Sequence, residues 1–492
     1  MERKMTRLRI NGARAIGARP NSPILFKVPA IGNGILKYHA HGLPDGLKIN
    51  VESGVITGSI GERGEYNFDV HVSDNLGMTT REMLIIIGDN ICLTPFMGWN
   101  SWYCQNELIS EKDLRRVTEV MVEKNLINHG WSYINMDDCW QAIRVGHEPI
   151  QGNERFDCMA GLCDFIHSKG LKAGIYSTPW ISTYAGFNGG SIDDDHTSRM
   201  LPEIDRHQIN QAYGRWPGLE AQQVDRVGKH WLFDIDAQQW AEWGFDFVKV
   251  DWLPNDIPTT KHIWNDINII GRDMIISLSN EAPIANAEGL TPYCNSLRTT
   301  SDIVATWKSI SRNFALQEPW LKYIKPGYWI DPDMLLIGNI AVPNNKNKVF
   351  KPSPLSKDEQ ISQMSLWCLL SAPLLISCDV ESLDDFTISL LSNDDAIDIN
   401  QDYPANPPVR IIENNGIESW FKELHNDHFA VGIFNLSDEI QEYVFSPSAY
   451  LIDNKNPIIN VWGSSTHAPD ENINVNIPPH GVALFKTVGK IQ

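Results

Sequence analysis

Three hydrophobic patterns succeed one another along the 492 residues. From residue 8 to 88 short segments alternate apolar and polar positions (ILFKVPAIGNG, LKINVESGVITGSI, GEYNFDVHVSDNLG, EMLIIIGDN). Pro-Asp-Gly, Asp-Asn-Leu-Gly and repeated Gly break them about every ten residues, which predicts a small antiparallel sandwich. From residue 94 the pattern becomes strand, helix, strand. Predicted strands are 96–99, 132–137, 171–177, 245–251, 274–279, 294–300, 327–331 and 372–377. Amphipathic helical stretches lie between most of them: 111–130, 159–170, 236–244, 260–271, 302–314, 358–370 and 384–394. Eight strands alternating with helices over about 300 residues give a (β/α)8 barrel. The connection 178–235 greatly exceeds the usual few residues and predicts a functional excursion over one barrel face. After residue 402 alternation returns around Asn-Gly and Gly turns. The expected fold is therefore multidomain α/β: a β-sandwich over 1–90, a TIM barrel over 91–402 and an antiparallel β domain over 403–492.

Composition adds constraints. Hydrophobic residues make up 42% and charged residues 21%, an ordinary globular balance, with a formal net charge of -20. Nucleic acid and anionic membrane surfaces call for clustered Lys and Arg, so neither is an expected partner. No apolar run is long enough for a transmembrane helix. The N-terminus MERKMTRLRINGARAIG is basic but lacks the apolar stretch of a signal peptide. Read as it stands, the chain is expected in the cytoplasm, and in the periplasm or outside the cell if a leader has been removed. The eight Cys show no zinc spacing, and His167, His196, His207, His230 and His262 are dispersed, so neither metal nor cofactor is expected. Cys104 and Cys139 are the one pair to watch for a disulfide. The 17 Trp suit core packing, and some suit stacking on sugar faces.

The chemistry collects at predicted strand ends, where barrel enzymes carry their active sites. FDFVKVDW places Lys249 and Asp251 on one side of a strand and Val248 and Val250 on the other. A buried pair of charges is kept by full hydrogen bonding or because a site uses it. The other strand ends supply Trp99, Asp137, Asp138, Tyr176, Arg298, Asp302, Asp331 and Asp333. Helix capping accounts for any single acid, but it does not require Lys249 and Arg298 beside them. Paired carboxylates with further acids to bind hydroxyls fit glycoside hydrolysis. Lys249 is expected to lower the pKa of Asp251 and hold it ionised as a nucleophile. Asp302 is expected to be held protonated by neighbouring acids and to act on the leaving oxygen.

The ordered series TPFMGWNSW, YINMDDCW, GLKAGIYS, FVKVDW, RTTSDI, GYWIDPDMLLIGN, SLWCLLSAPLLISCD and NQD resembles glycoside hydrolase family 27, the α-galactosidases and α-N-acetylgalactosaminidases. The segment before it resembles the immunoglobulin-like domains that precede bacterial glycosidase barrels. The resemblance implies a retaining exo-glycosidase acting on a carbohydrate substrate, with Asp251 as nucleophile and Asp302 as general acid/base. It also implies that Trp99, Asp137, Asp138, Tyr176, Lys249, Ser279, Asn280, Arg298 and Asp333 line the sugar subsite. Three departures stand out. Trp252 follows the nucleophile and no Cys lies near Tyr176, so a disulfide found in many members is absent. Ile330 replaces a polar residue in GYWIDPDM. The loop SLSNEAP places Ser279 and Asn280 where eukaryotic α-galactosidases supply an acid. α-N-Acetylgalactosaminide, β-L-arabinopyranoside and isomaltosyl substrates therefore stay open beside α-galactoside. A non-catalytic carbohydrate-binding protein is the reading from another class, and retention of both Asp251 and Asp302 argues against it.

Overall fold

The computed structural model describes residues 7–194, 225–341, 348–413, 415–450, 456–463, 465–469 and 471–488. Its centre is an eight-stranded parallel sheet whose strands follow the apolar runs of the sequence. These are β1 (Met97–Asn100), β2 (Tyr133–Asn135), β3 (Lys172–Ser177), β4 (Phe247–Asp251), β5 (Ile275–Ser279), β6 (Ser296–Arg298), β7 (Trp329–Asp331) and β8 (Leu374–Ile376). They pair in chain order from β1 to β7, and β8 pairs with β1. The two sheet edges meet through a single parallel bridge, Leu335 to Ile376, so the barrel closes just beyond β7.

Among the described residues one barrel helix is assigned to each strand: α1 (Glu111–Glu123), α2 (Met159–Ser168), α3 (Phe233–Trp243), α4 (Ile257–Asn268), α5 (Ala287–Leu290), α6 (Trp307–Leu316), α7 (Lys357–Leu369) and α8 (Asp385–Leu391). Their starts are written in the sequence. Ser110, Asp256, Thr306, Ser356 and Asp384 each accept a backbone N–H of the first turn, satisfying donors that a helix leaves orphaned. One predicted boundary is corrected. Helical spacing from residue 302 suggests that Asp302 opens a helix, but the helix begins at Trp307, behind its Thr306 cap. Residues 302 and 303 are instead pulled toward the barrel mouth by Arg298 and Asp333.

Inside the barrel, strand alternation layers the side chains. Phe247, two residues below Lys249, packs edge-on against Phe96 at 5.0 Å and lies 6.0 Å from Tyr133. These rings form an apolar floor under the charged layer, where desolvation will matter most.

The N-terminal domain packs a sheet of strands 15–18, 78–87, 64–73 and 37–41 against one of strands 24–27, 55–58 and 47–49. Tyr38, Ile56, Phe68, Val70, Val72, Met83 and Ile85 fill its core. Strand 15–18 pairs parallel with 78–87, a departure from the all-antiparallel expectation. Arg19 donates to Asp273, 2.6 Å away and just before β5. This domain therefore sits at the N-terminal ends of the barrel strands, opposite the end where the acids collect. The C-terminal domain pairs six strands within 409–487 into one sheet and 441–445 with 473–477 into another, around Ile417, Val431, Ile433, Phe445 and Phe485. Arg9 pairs with Asp395 and Asp398, and Lys486 reaches Asp398 at 3.1 Å, so all three domains meet on the helix Asp394–Asn400.

Of the predicted excursion, 195–224 lies outside the described residues. Its flanks form a small antiparallel pair, Ser191–Ile192 with His230–Trp231. Cys104 and Cys139 are free, buried thiols.

Candidate active site

Asp251 ends β4 with both oxygens hydrogen-bonded. Tyr176 Oη, from β3, donates to Oδ2 at 3.2 Å, and Asn280 Nδ2, just after β5, donates to Oδ1 at 2.9 Å. Lys249 Nζ lies 3.8 Å from Asp251 Oδ2 but only 2.9 Å from Asp137 Oδ2, and 5.3 Å from the centre of the Tyr176 ring. Asp137 also accepts from Asn100 Nδ2 at 2.9 Å, so β1, β2 and β4 share one charge cluster. Its neighbour Asp138 is buried beside it. Its two oxygens accept from Cys139 N at 2.7 Å and from Ala185 N, in the loop after β3, at 3.0 Å.

A second cluster forms on β6 and β7. Arg298 Nη2 lies 2.9 Å from Asp333 Oδ2 and 3.2 Å from Asp302 Oδ1, and Nη1 lies 3.4 Å from Ser279 Oγ. Asp333, at a left-handed φ of 82°, is held further by Ile303 N at 2.8 Å and Met334 N at 2.7 Å. Asp302 is the open member, with 58% of its side chain exposed against 1% for Asp333. The structure thus gathers Asp137, Asp138, Tyr176, Lys249, Asp251, Ser279, Asn280, Arg298, Asp302 and Asp333 at one barrel end.

Trp99 is the exception, and its expected place in the sugar subsite is corrected. It is fully buried and donates its indole N–H to Cys378 O at 2.9 Å. Asn100 faces the barrel axis to reach Asp137, so its neighbour Trp99 must point outward, toward the helices. Trp102, three residues on, is only partly buried. Sequence reasoning also passed over Tyr103, whose hydroxyl donates to Asp333 Oδ2 at 3.3 Å and Ile303 O at 3.0 Å. Tyr184 was missed too; it feels the charges of both Asp251 and Asp302. The NSWYC run after β1 and the YAGFNGG run after β3 were the available signals, because both follow strand ends.

Six acids (Asp137, Asp138, Asp251, Asp302, Asp331, Asp333) share this end with two cations, Lys249 and Arg298. Burial, with mutual repulsion added, pushes Asp251 up to about 7 and Asp138 and Asp331 up to about 6. The expectation that Lys249 leaves Asp251 with a lowered pKa is corrected in its net outcome. Lys249 does favour the anion, but desolvation outweighs it, and its closer partner is Asp137.

Comparison with known proteins agrees with this geometry. The family profile described as alpha galactosidase A matches residues 94–210 and 224–402. An immunoglobulin-like domain profile matches 9–87, and the alpha galactosidase C-terminal beta sandwich profile matches 414–487. Alpha-galactosidase A of Cellvibrio japonicus is 28% identical over 427 residues, covering 81% of this chain and 93% of its own length. Alpha-galactosidase A of Homo sapiens is 30% identical over 395 residues, covering 74% and 78%. Among solved structures, an α-galactosidase/melibiase candidate of Bacteroides fragilis superposes with a TM-score of 0.82 at 27% identity, with 98% of each chain covered. A β-L-arabinopyranosidase of Geobacillus stearothermophilus shares the fold, at a TM-score of 0.65 and 24% identity, covering 81% of this chain and 97% of that one. The chain is a glycoside hydrolase that acts on carbohydrate, and it belongs to family 27, the α-galactosidase family.

Proposed function

We propose that the protein releases terminal α-D-galactosyl residues by double displacement. The observation that carries this reading is the pairing of Asp251, buried with a donor on each oxygen, with Asp302, open to solvent and tethered to Arg298. In the first step Asp251 forms a bond to the anomeric carbon as the glycosidic C–O bond breaks, and Asp302 gives its proton to the leaving oxygen. In the second, Asp302 takes a proton from water, whose oxygen displaces Asp251 from the sugar. Asp137 and Asp138 are placed to accept from sugar hydroxyls, and Trp102 and Tyr103 to border the pocket. The relatives named as α-galactosidases support galactose as the sugar. The net charge of -20 disfavours nucleic acid. Eight free thiols support a reducing, cytoplasmic setting.

The test is release of p-nitrophenol from four aryl glycosides: α-galactoside, α-N-acetylgalactosaminide, β-L-arabinopyranoside and α-glucoside. Turnover is expected to be fastest on the α-galactoside. Faster turnover of any other glycoside transfers the function to that sugar and assigns the change to Ser279 and its loop.

A pH profile follows from the burial of Asp251. The carboxyl must lose its proton before it attacks, so kcat/KM is expected to rise with pH through a limb near 7. A limb near 4, the ordinary carboxyl range, would show that Lys249 dominates after all.

A further inference from the structure

Asn280, which the sequence places in the sugar subsite, spends its amide on Asp251. It adopts a left-handed φ of 63° directly after β5, a conformation that Asn tolerates better than most residues but that still needs support. In that conformation its Nδ2 sits 2.9 Å from Asp251 Oδ1. Tyr184, in the loop after β3, lies beside the same side chain.

The support comes from Asn255, in the loop after β4. Asn255 is fully buried, also left-handed at φ 53°, and its Nδ2 lies 2.9 Å from Trp252 O, 3.0 Å from Ser279 O and 2.8 Å from Asn280 O. One amide therefore staples the loop that follows Asp251 to the loop that carries Asn280. Asn286 Nδ2 donates in turn to Asn255 O at 3.3 Å. With Tyr176 on Oδ2 and Asn280 on Oδ1, each carboxylate oxygen has its own donor, so the plane of the carboxylate is fixed from two sides.

We propose that Asn255 and Asn280 form a two-amide brace for Asp251, with Asn280 a positioning residue that orients the carboxylate and favours its anion, and Asn255 acting through Asn280. The inference rests on Asp251 being the nucleophile. The charged and titratable groups facing Asp251 are Lys249 on its own strand, Tyr176 and Tyr184 from β3 and its loop, Asp137 from β2, and Arg298 and Asp302 from β6. The acids among them raise its pKa and the two cations lower it. Removing a neutral donor from the anion then shifts the ionisation upward.

The test uses the full chain and the variants Asn280→Gly and Asn255→Gly, because glycine keeps both left-handed backbones and removes only the amides. Asn280→Gly is expected to lower kcat by about ten- to a hundredfold, as for a lost hydrogen bond to a charged group. It should also move the acidic limb of kcat/KM up by about one pH unit, leaving inhibition by free galactose unchanged. Asn255→Gly should move the same two quantities in the same direction. The double variant should be no worse than Asn280→Gly alone, since the two amides act in series. An unmoved limb with weakened galactose inhibition would make Asn280 a sugar contact and overturn the brace. Multiplying effects in the double variant would overturn the link through Asn255.

A silent wild-type enzyme would be a failure of the substrate reading, and the brace is then judged separately. 13C NMR of aspartate-labelled protein titrates Asp251 directly, with Asp251→Asn identifying its resonance. An upward shift in Asn280→Gly supports the brace, and an unchanged titration refutes it.

Discussion

Asp251→Asn is expected to lower turnover of the preferred aryl glycoside by about ten-thousand-fold or more, the scale of losing a covalent nucleophile. The fold should survive, because the substitution is nearly isosteric. The remaining carbonyl oxygen keeps the bond from Asn280, and the new NH2 faces the Tyr176 hydroxyl, which can accept as well as donate. Stability should move the other way from activity. The folded pKa of Asp251, about 7, lies above its unfolded value, so the folded chain binds more protons between those two values and loses stability as pH rises through them. Asparagine removes that penalty. The variant is therefore expected to melt above the wild type at pH 8 and close to it at pH 4. Parallel kcat and melting measurements at the two pH values check both halves. Appreciable residual turnover would assign the nucleophile elsewhere, and a lower melting point at pH 8 would contradict the desolvation argument.

The same desolvation marks where the sequence stopped being informative. The strands were legible because apolar runs of strand length alternate with capped amphipathic helices. The pairing of Lys249 with Asp251 on one face followed from period two alone. Which acid Lys249 serves did not, because that depends on a distance across to β2, where Asp137 is the nearer partner. The apolar run ends at Trp99 and so puts that ring at the strand mouth. The strand runs one residue further, to Asn100, and a one-residue shift exchanges the faces. Helix α5 leaves no signal in the sequence because IANAEGLTPY holds only a four-residue α-helix, Ala287–Leu290, between 3-10 turns, too short to show a periodicity. Apolar spacing starts α6 too early because Ile303 continues the pattern of the helix, whereas its backbone N–H is spent on Asp333. For Lys249 and for α6 the sequence carried the element, and a contact distant in the chain decided the detail.

Arg298 shows how much rests on such contacts, and Arg298→Met is the second large effect expected. Methionine matches the length of the arginine stem, but the charge that neutralises Asp333 disappears. Asp333 would keep its bonds from Ile303 N, Met334 N and Tyr103 Oη, and would lose its cation at 2.9 Å. Breaking a buried pair in this way costs about 3–5 kcal/mol, which for a barrel of this size lowers the melting point by roughly 5–8 °C. Activity should fall as well, because Asp302 loses its tether at 3.2 Å. The stability loss carries a signature. Burial already raises the Asp333 pKa, and Arg298 is the largest influence lowering it, so the variant raises it further. The folded variant then holds a proton that the unfolded chain has released, from the ordinary carboxyl range up to the new pKa. Its stability falls as pH rises across that window. The deficit should therefore be smaller at pH 5 than at pH 8, and adding Asp333→Asn should recover part of the melting point but not the activity, because its NH2 then faces one of the two backbone N–H donors that Asp333 accepts. An equal deficit at both pH values, with no recovery in the double variant, would mean that lost packing around the guanidinium, rather than a stranded carboxylate, destabilises the protein.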